Sequence, residues 1–161
     1  KVSIGPDETA PELYEKIIDA TVSAYLKLIE DYQRNPNINL IVQDENLATY
    51  TCKRTPDDGR IDWNASSNEV YNLIRALIYP YSGAFFYHND QKYIVRSARL
   101  GFQNHKVFSG RIPGRVISVL ENGIEVLCGN GSVFIGEIEM ESSGEVVTAN
   151  SIFKSITTKL L

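Results

Sequence analysis

RTPDDGRIDWNASSNEVYNLIRAL, residues Arg54 to Leu77, sets Arg54, Arg60, three aspartates, a glycine and the chain's only tryptophan ahead of a capped amphipathic helix. Ser66-Ser67-Asn68-Glu69 has the form of a capping box. Val70, Leu73, Ile74, Leu77 and Ile78 recur at helical spacing, and Pro80 stops the run. A surface loop can be rich in Asp and Gly without Trp63, and a core helix needs no arginines in front of it. The combination points to a place where a ligand is held. Arg54 and Arg60 offer planar donors to an anion. Trp63, Tyr79 and Tyr81 offer faces for stacking, and Asp57 and Asp58 can accept from hydroxyls or hold the arginines. Each has a plainer reading too: Pro56-Asp57-Asp58-Gly59 is also simply a turn, and Trp63 can plug a seam between packed parts.

Upstream, Thr9-Ala10-Pro11-Glu12 announces another helix, with Thr9 and Glu12 as capping partners and Pro11 in the first turn. Leu13, Ile17, Ala20, Ala24 and Leu28 give it one apolar face, and Asn35-Pro36-Asn37 predicts its end near Arg34. A short strand-like stretch, Leu40 to Val42, follows before the polar Gln43-Asp44-Glu45-Asn46. Downstream, residues 84 to 139 alternate short β-rich segments with turn signals at Asn89-Asp90, Asn122-Gly123 and Gly129-Asn130-Gly131. About five strands at this spacing predict a small open barrel resembling an OB-fold. Ile152, Phe153, Ile156 and Leu160 predict a closing helix within Asn150 to Leu161. The fold class expected is α+β, and the start at Lys1 is that expected of part of a larger protein.

With 161 residues, 43% of them hydrophobic, the chain can bury one sizeable core. No apolar run is long enough to span a bilayer, and the start lacks a secretory signal profile, so a cytoplasmic protein without membrane contact is expected. Cys52 and Cys128 lack the paired spacing of a zinc site and read as free thiols, with no metal. The net charge of −4 speaks against a general nucleic-acid binder. Its distribution is uneven: residues 91–120 carry only bases and 121–145 only acids. Adjacent strands of opposite sign can pair across a sheet, or the basic block can form an anion-binding face.

The order LATYTCKRTPDDGRIDWNASSNEVYNLIRALIYPYSGAFFY, followed by Pro113-Gly114-Arg115-Val116-Ile117 and Cys128-Gly129-Asn130-Gly131, resembles the C-terminal part of the formyltetrahydrofolate-dependent formyltransferases. That resemblance implies a Rossmann-like catalytic lobe with an Asn-His-Asp constellation, followed by a small barrel. Residues 1–50 are then the terminal segment of the lobe, 51–83 a linker and connecting helix, and 84–161 the C-terminal barrel domain. The catalytic residues are not in this chain: His88 and His105, its only histidines, match no catalytic motif of the family. The fragment alone is therefore expected to be inactive, with 10-formyltetrahydrofolate held by the missing lobe.

Lys53 to Gly59 and Pro80 to Phe85 look like the sugar-nucleotide branch of the family, although Ser82 stands where proline is commoner. The resemblance implies transfer of a formyl group to the amine of a nucleotide-linked amino sugar. Arg54, Asp57, Asp58, Arg60, Trp63, Tyr79 and Tyr81 would line the substrate cleft. Two alternatives remain. One is a tRNA-binding domain like that of methionyl-tRNA formyltransferase, using Arg96, Arg99, Arg111 and Arg115 with Tyr93 and Phe102. The other is a structural or homodimer-forming domain, which an exposed strip along Val133, Ile135 and Ile138 would favour.

Overall fold

The computed structural model describes residues 1–37, 41–102 and 108–161. Leu40, His105 and Lys106 lie outside the described residues. The chain divides into two compact units, Lys1–Thr55 and Pro56–Leu161, each described by itself.

The first unit is dominated by α1, Ala10–Arg34. As its sequence predicts, Thr9 and Glu12 form the cap: the Thr9 amide and hydroxyl both donate to Glu12 Oε2 at 2.7 Å. The helix stops at Asn35, where the backbone turns extended ahead of Pro36, which disfavours a helical residue before it. No residue of α1 is buried. Its apolar stripe is open: Ile17, Ala20, Ala24, Tyr25 and Leu28, with Val2, line a groove of about 460 Å³. Beyond it, Ile41 and Val42, strand-like in sequence, join no sheet and are exposed. The Asp44 carboxylate accepts from the Asn46 amide at 3.0 Å and bends the chain into a single turn at Glu45–Leu47.

The second unit opens with a turn at Pro56–Gly59 and then α2, Ser67–Leu77. The capping box is present: the Ser66 amide donates to Glu69 Oε2 at 2.9 Å, and the Glu69 amide donates to Ser66 Oγ at 3.3 Å. The Ser66 hydroxyl, with its amide second, holds the Glu69 carboxyl below its usual 4.5. With the folded value depressed, this contribution to stability is present above 4.5 and is lost as pH falls through the lowered value.

Among the described residues, eight strands follow: β1 Phe85–His88, β2 Gln91–Val95, β3 Ala98–Leu100, β4 Val116–Leu120, β5 Gly123–Leu127, β6 Ser132–Ile135, β7 Glu137–Met140 and β8 Glu145–Thr148. They form two antiparallel sheets, ordered β1-β2-β7-β8 and β3-β6-β5-β4. Asn89 and Asp90, with φ of 50° and 61°, make the tight β1–β2 turn, the conformation that right-twisted hairpins favour. Where about five strands were expected, two of the long runs break and change sheet. Tyr93 to Leu100 divides at Arg96-Ser97 and Val133 to Glu139 divides at Gly136. The two breaks meet: Gly136 N donates to Ser97 O at 3.0 Å and Glu137 N to Ser97 Oγ at 2.8 Å. A Cβ on Gly136 would lie 2.6 Å from Ser97 Oγ, so glycine lets the backbones close.

The core lies between the sheets and α2. Phe86, Phe153, Val95, Val116, Ile124, Val126 and Leu160 are fully buried there, joined by Val70 and Ile74 from α2. Val133, Ile135 and Ile138 are buried too and present no exposed strip.

The closing helix is shorter than its spacing predicts. It is one turn, α3, Ala149–Ile152. Beyond it the tail is extended: Val116 N donates to Thr158 O, Leu160 N to Gly114 O, and Tyr87 and Leu161 exchange both backbone bonds. Ser155 Oγ accepts from the Thr157 amide at 3.1 Å. Such local hydroxyl bonds compete with a helix, and the edge of the sheet offers the tail backbone partners instead. No described helix is long and apolar enough to cross a membrane.

Cys52 is exposed and Cys128 buried, both free. Burial pushes the Cys128 thiol from 9.0 up to about 12, partly offset by the Arg111 charge. Near neutral pH a thiol reagent is therefore expected to modify Cys52 quickly and Cys128 only on unfolding, since the thiolate is the reactive form. Two equally fast thiols would contradict this packing.

Candidate functional site

The segment after Pro56 is held in place from both sides. Arg60 N donates to Asp57 O at 3.1 Å, closing the turn, and Ile61 N donates to Phe85 O at 2.8 Å, laying the segment along β1. Gly59 is required there, because a Cβ would lie 2.8 Å from Gly83 O. On the far side, Gly129 N donates to Trp63 O at 2.8 Å and to Ala65 O at 2.9 Å, and Ser67 N donates to Asn130 O at 2.7 Å. A Cβ on Gly129 would run into the Asn64 carbonyl. The Cys128-Gly129-Asn130-Gly131 stretch is thus the seat for the approach to α2.

Trp63 is 5% exposed. Its ring meets Phe86 edge to face, with centroids 5.9 Å apart, and its Nε1 has no hydrogen-bond partner. Arg60 is exposed and its guanidinium lies over the Tyr87 ring at 5.5 Å. Asp62 Oδ1 accepts from the amide and the side-chain nitrogen of Asn64, both at 2.9 Å. Arg60, Asp62, Trp63, Asn64, Pro113 and Lys159 line a cavity of about 430 Å³. Of the residues singled out in the sequence, Arg60 and Trp63 are brought together here. Asp57 and Asp58 lie exposed on the turn. Tyr79 and Tyr81 are exposed on either side of Pro80, and neither lines this cavity. Arg54 belongs to the first unit. Lys159 was missed, because nothing local marks it; only the return of the tail along Gly114 to Val116 brings it beside Arg60's cavity.

Two cations, Arg60 and Lys159, lining one cavity suit a dianionic group. Among the described lining residues there is no nucleophile with a base beside it. Nor do the described residues hold a cluster of His, Cys, Asp or Glu fit for a metal ion. His88 has a structural setting: its Nδ1 is 3.2 Å from Lys159 O and its ring packs edge-on against Phe153.

Among the described residues, the basic block is partly taken up by acids and carbonyls. Lys92 pairs with Glu141 and Arg96 with Glu139 across β2 and β7, as strands of opposite sign do. Arg111 donates to Cys128 O and Gly131 O, and Arg115 to Thr157 O. Tyr93 is buried. Arg99 lies between Phe102 and Phe134.

Residues 53–157 match the formyl transferase C-terminal domain, and the chain belongs to that family. A relative is the bifunctional polymyxin resistance protein ArnA of Wigglesworthia glossinidia brevipalpis, 36% identical over 117 residues, which are 73% of this chain and 17% of ArnA. Among solved structures, HypX from Aquifex aeolicus has the same fold, with a TM-score of 0.67 at 15% identity over 96% of this chain and 27% of HypX. HypX in complex with tetrahydrofolic acid gives 0.58 at 16% identity, covering 84% of this chain and 23% of that one. The chain thus spans under a fifth of ArnA and about a quarter of HypX.

Proposed function

We propose that the whole protein transfers a formyl group from 10-formyltetrahydrofolate to the amine of a nucleotide-linked amino sugar in the cytoplasm. Residues 1–50 form the end of its catalytic lobe, and the cavity at Arg60 belongs to the sugar-nucleotide cleft. The observation that carries this reading is the family match over 53–157, which contains the arginine-bearing approach to α2. The folate donor is consistent with the tetrahydrofolic acid bound by HypX. A diphosphate between Arg60 and Lys159, with the sugar or base against the wall at Trp63, uses the groups that line the cavity. A sugar nucleotide is favoured over tRNA because Lys92 and Arg96 are already paired with acids, whereas a folded RNA needs many free cations.

Arg60→Ala in the full-length protein is expected to remove one charge-assisted contact to the diphosphate, about 1.5–3 kcal/mol, seen as a roughly ten- to hundred-fold rise in the sugar-nucleotide KM. The KM for the folate donor should stay unchanged. Unaltered kinetics for both substrates would remove the cavity from the cleft.

A further inference from the structure

Glu125 stands in the middle of β5 between the core residues Ile124 and Val126, so its side chain leaves the opposite face of the sheet. It is nevertheless only 5% exposed. Its Oε1 accepts from Ser132 Oγ at 2.6 Å, and its carboxylate makes no other hydrogen bond and no ion pair among the described residues. Arg99, which lies beyond β6 in the same sheet, is held over the Phe102 and Phe134 rings. A carboxyl group so nearly buried, with one hydroxyl partner among the described residues, has room for a further partner.

Space for one is kept beside it. A Cβ on Gly101 would lie 2.7 Å from Glu125 Oε1 and closer still to Ser132 Oγ, so only glycine lets the chain pass this pair. Glu125, Ser132, Ser118, Ser67, Asn68 and Arg111 line a cavity of about 240 Å³. Arg111 is fixed there by its Nη2, which donates to Cys128 O at 2.9 Å and Gly131 O at 2.7 Å. Its remaining nitrogens make no hydrogen bond among the described residues. Ser67 and Asn68 begin α2, the helix end that favours negative charge. The volume falls below the roughly 300 Å³ at which pockets for drug-sized ligands begin, which selects a small molecule.

Among the described residues, a carboxylate with one hydroxyl partner and a guanidinium with open donors thus share one small cavity, which Phe102 and Phe108 also line. We propose that it binds a small zwitterion carrying a primary ammonium and an anionic group, the ammonium on Glu125 and the anion on Arg111. This site is separate from the cavity at Arg60 and does not depend on the formyl-transfer reading.

Titration calorimetry on the full-length protein tests it with glucosamine 6-phosphate, alongside glucosamine and glucose 6-phosphate, each of which lacks one of the two charges. The phosphorylated amine is expected to bind at least about tenfold more tightly than either control. Glu125→Gln should remove the advantage over glucose 6-phosphate, and the surface variant Arg111→Ala should remove the advantage over glucosamine. Absence of binding by all three compounds, or equal affinity for them, overturns the proposal in the unaltered protein, before any variant is made. The same holds if the ranking persists in either folded variant, which would place the compound elsewhere.

Discussion

Trp63→Ala is expected to destabilise the second unit by about 3–5 kcal/mol, the range for truncating a large aromatic in a packed core. The indole is almost wholly buried, meets the Phe86 ring, and lies against Gly114, where an added Cβ would come within 3.2 Å of its Cδ1. Its loss leaves a void that the surrounding strands cannot readily fill, because Gly114 and Gly129 are pinned by backbone hydrogen bonds to Leu160, Trp63 and Ala65. Trp63→Phe should cost much less, since the indole Nε1 makes no hydrogen bond to lose. Urea denaturation of the two variants separates the cases. Near-wild-type stability of Trp63→Ala, coupled with weakened sugar-nucleotide binding, would contradict core packing and make Trp63 chiefly a ligand-stacking residue.

The 161-residue chain alone is expected to transfer no formyl group. Formyl transfer to an amine needs a proton acceptor and a donor for the tetrahedral oxyanion, aligned on one carbon. Of the two histidines, His88 faces the Lys159 carbonyl and the Phe153 ring. In the Arg60 cavity no described lining residue is a histidine, and the Asp62 carboxylate is already engaged by the amide and side chain of Asn64. Incubation with formyltetrahydrofolate and a panel of amino-sugar nucleotides should give background rates only. Turnover that disappears with His88→Ala or His105→Ala would overturn this.

Local signals made the helices legible. Both capping boxes, the Asn35-Pro36 stop and the Pro80 stop act over a few residues, and the structure uses each of them. The strands were legible as a β-rich region with its turns, not as a count. The breaks at Arg96-Ser97 and Gly136 exist because two runs far apart in sequence cross at one corner, and neither shows it alone. β8 went unseen because Glu145 to Thr148 is short and half-polar, and only its pairing with β7 makes it a strand. The tail illustrates the reverse error: Ile152 and Ile156 have helical spacing yet are exposed, since the backbone finds partners at Tyr87 and Gly114. In the candidate site, Arg60 and Trp63 stood out by their neighbours in sequence. Lys159 and Glu125 did not, because one depends on how the tail returns and the other on burial of a strand's outer face.

The central claim is best tested by offering the full-length protein formyltetrahydrofolate with nucleotide-linked amino sugars or with initiator methionyl-tRNA, at low and raised salt. Formylation of an amino-sugar nucleotide, at a rate little affected by salt, is the expected result. Formylation of the tRNA alone, falling steeply as salt is added, would contradict it.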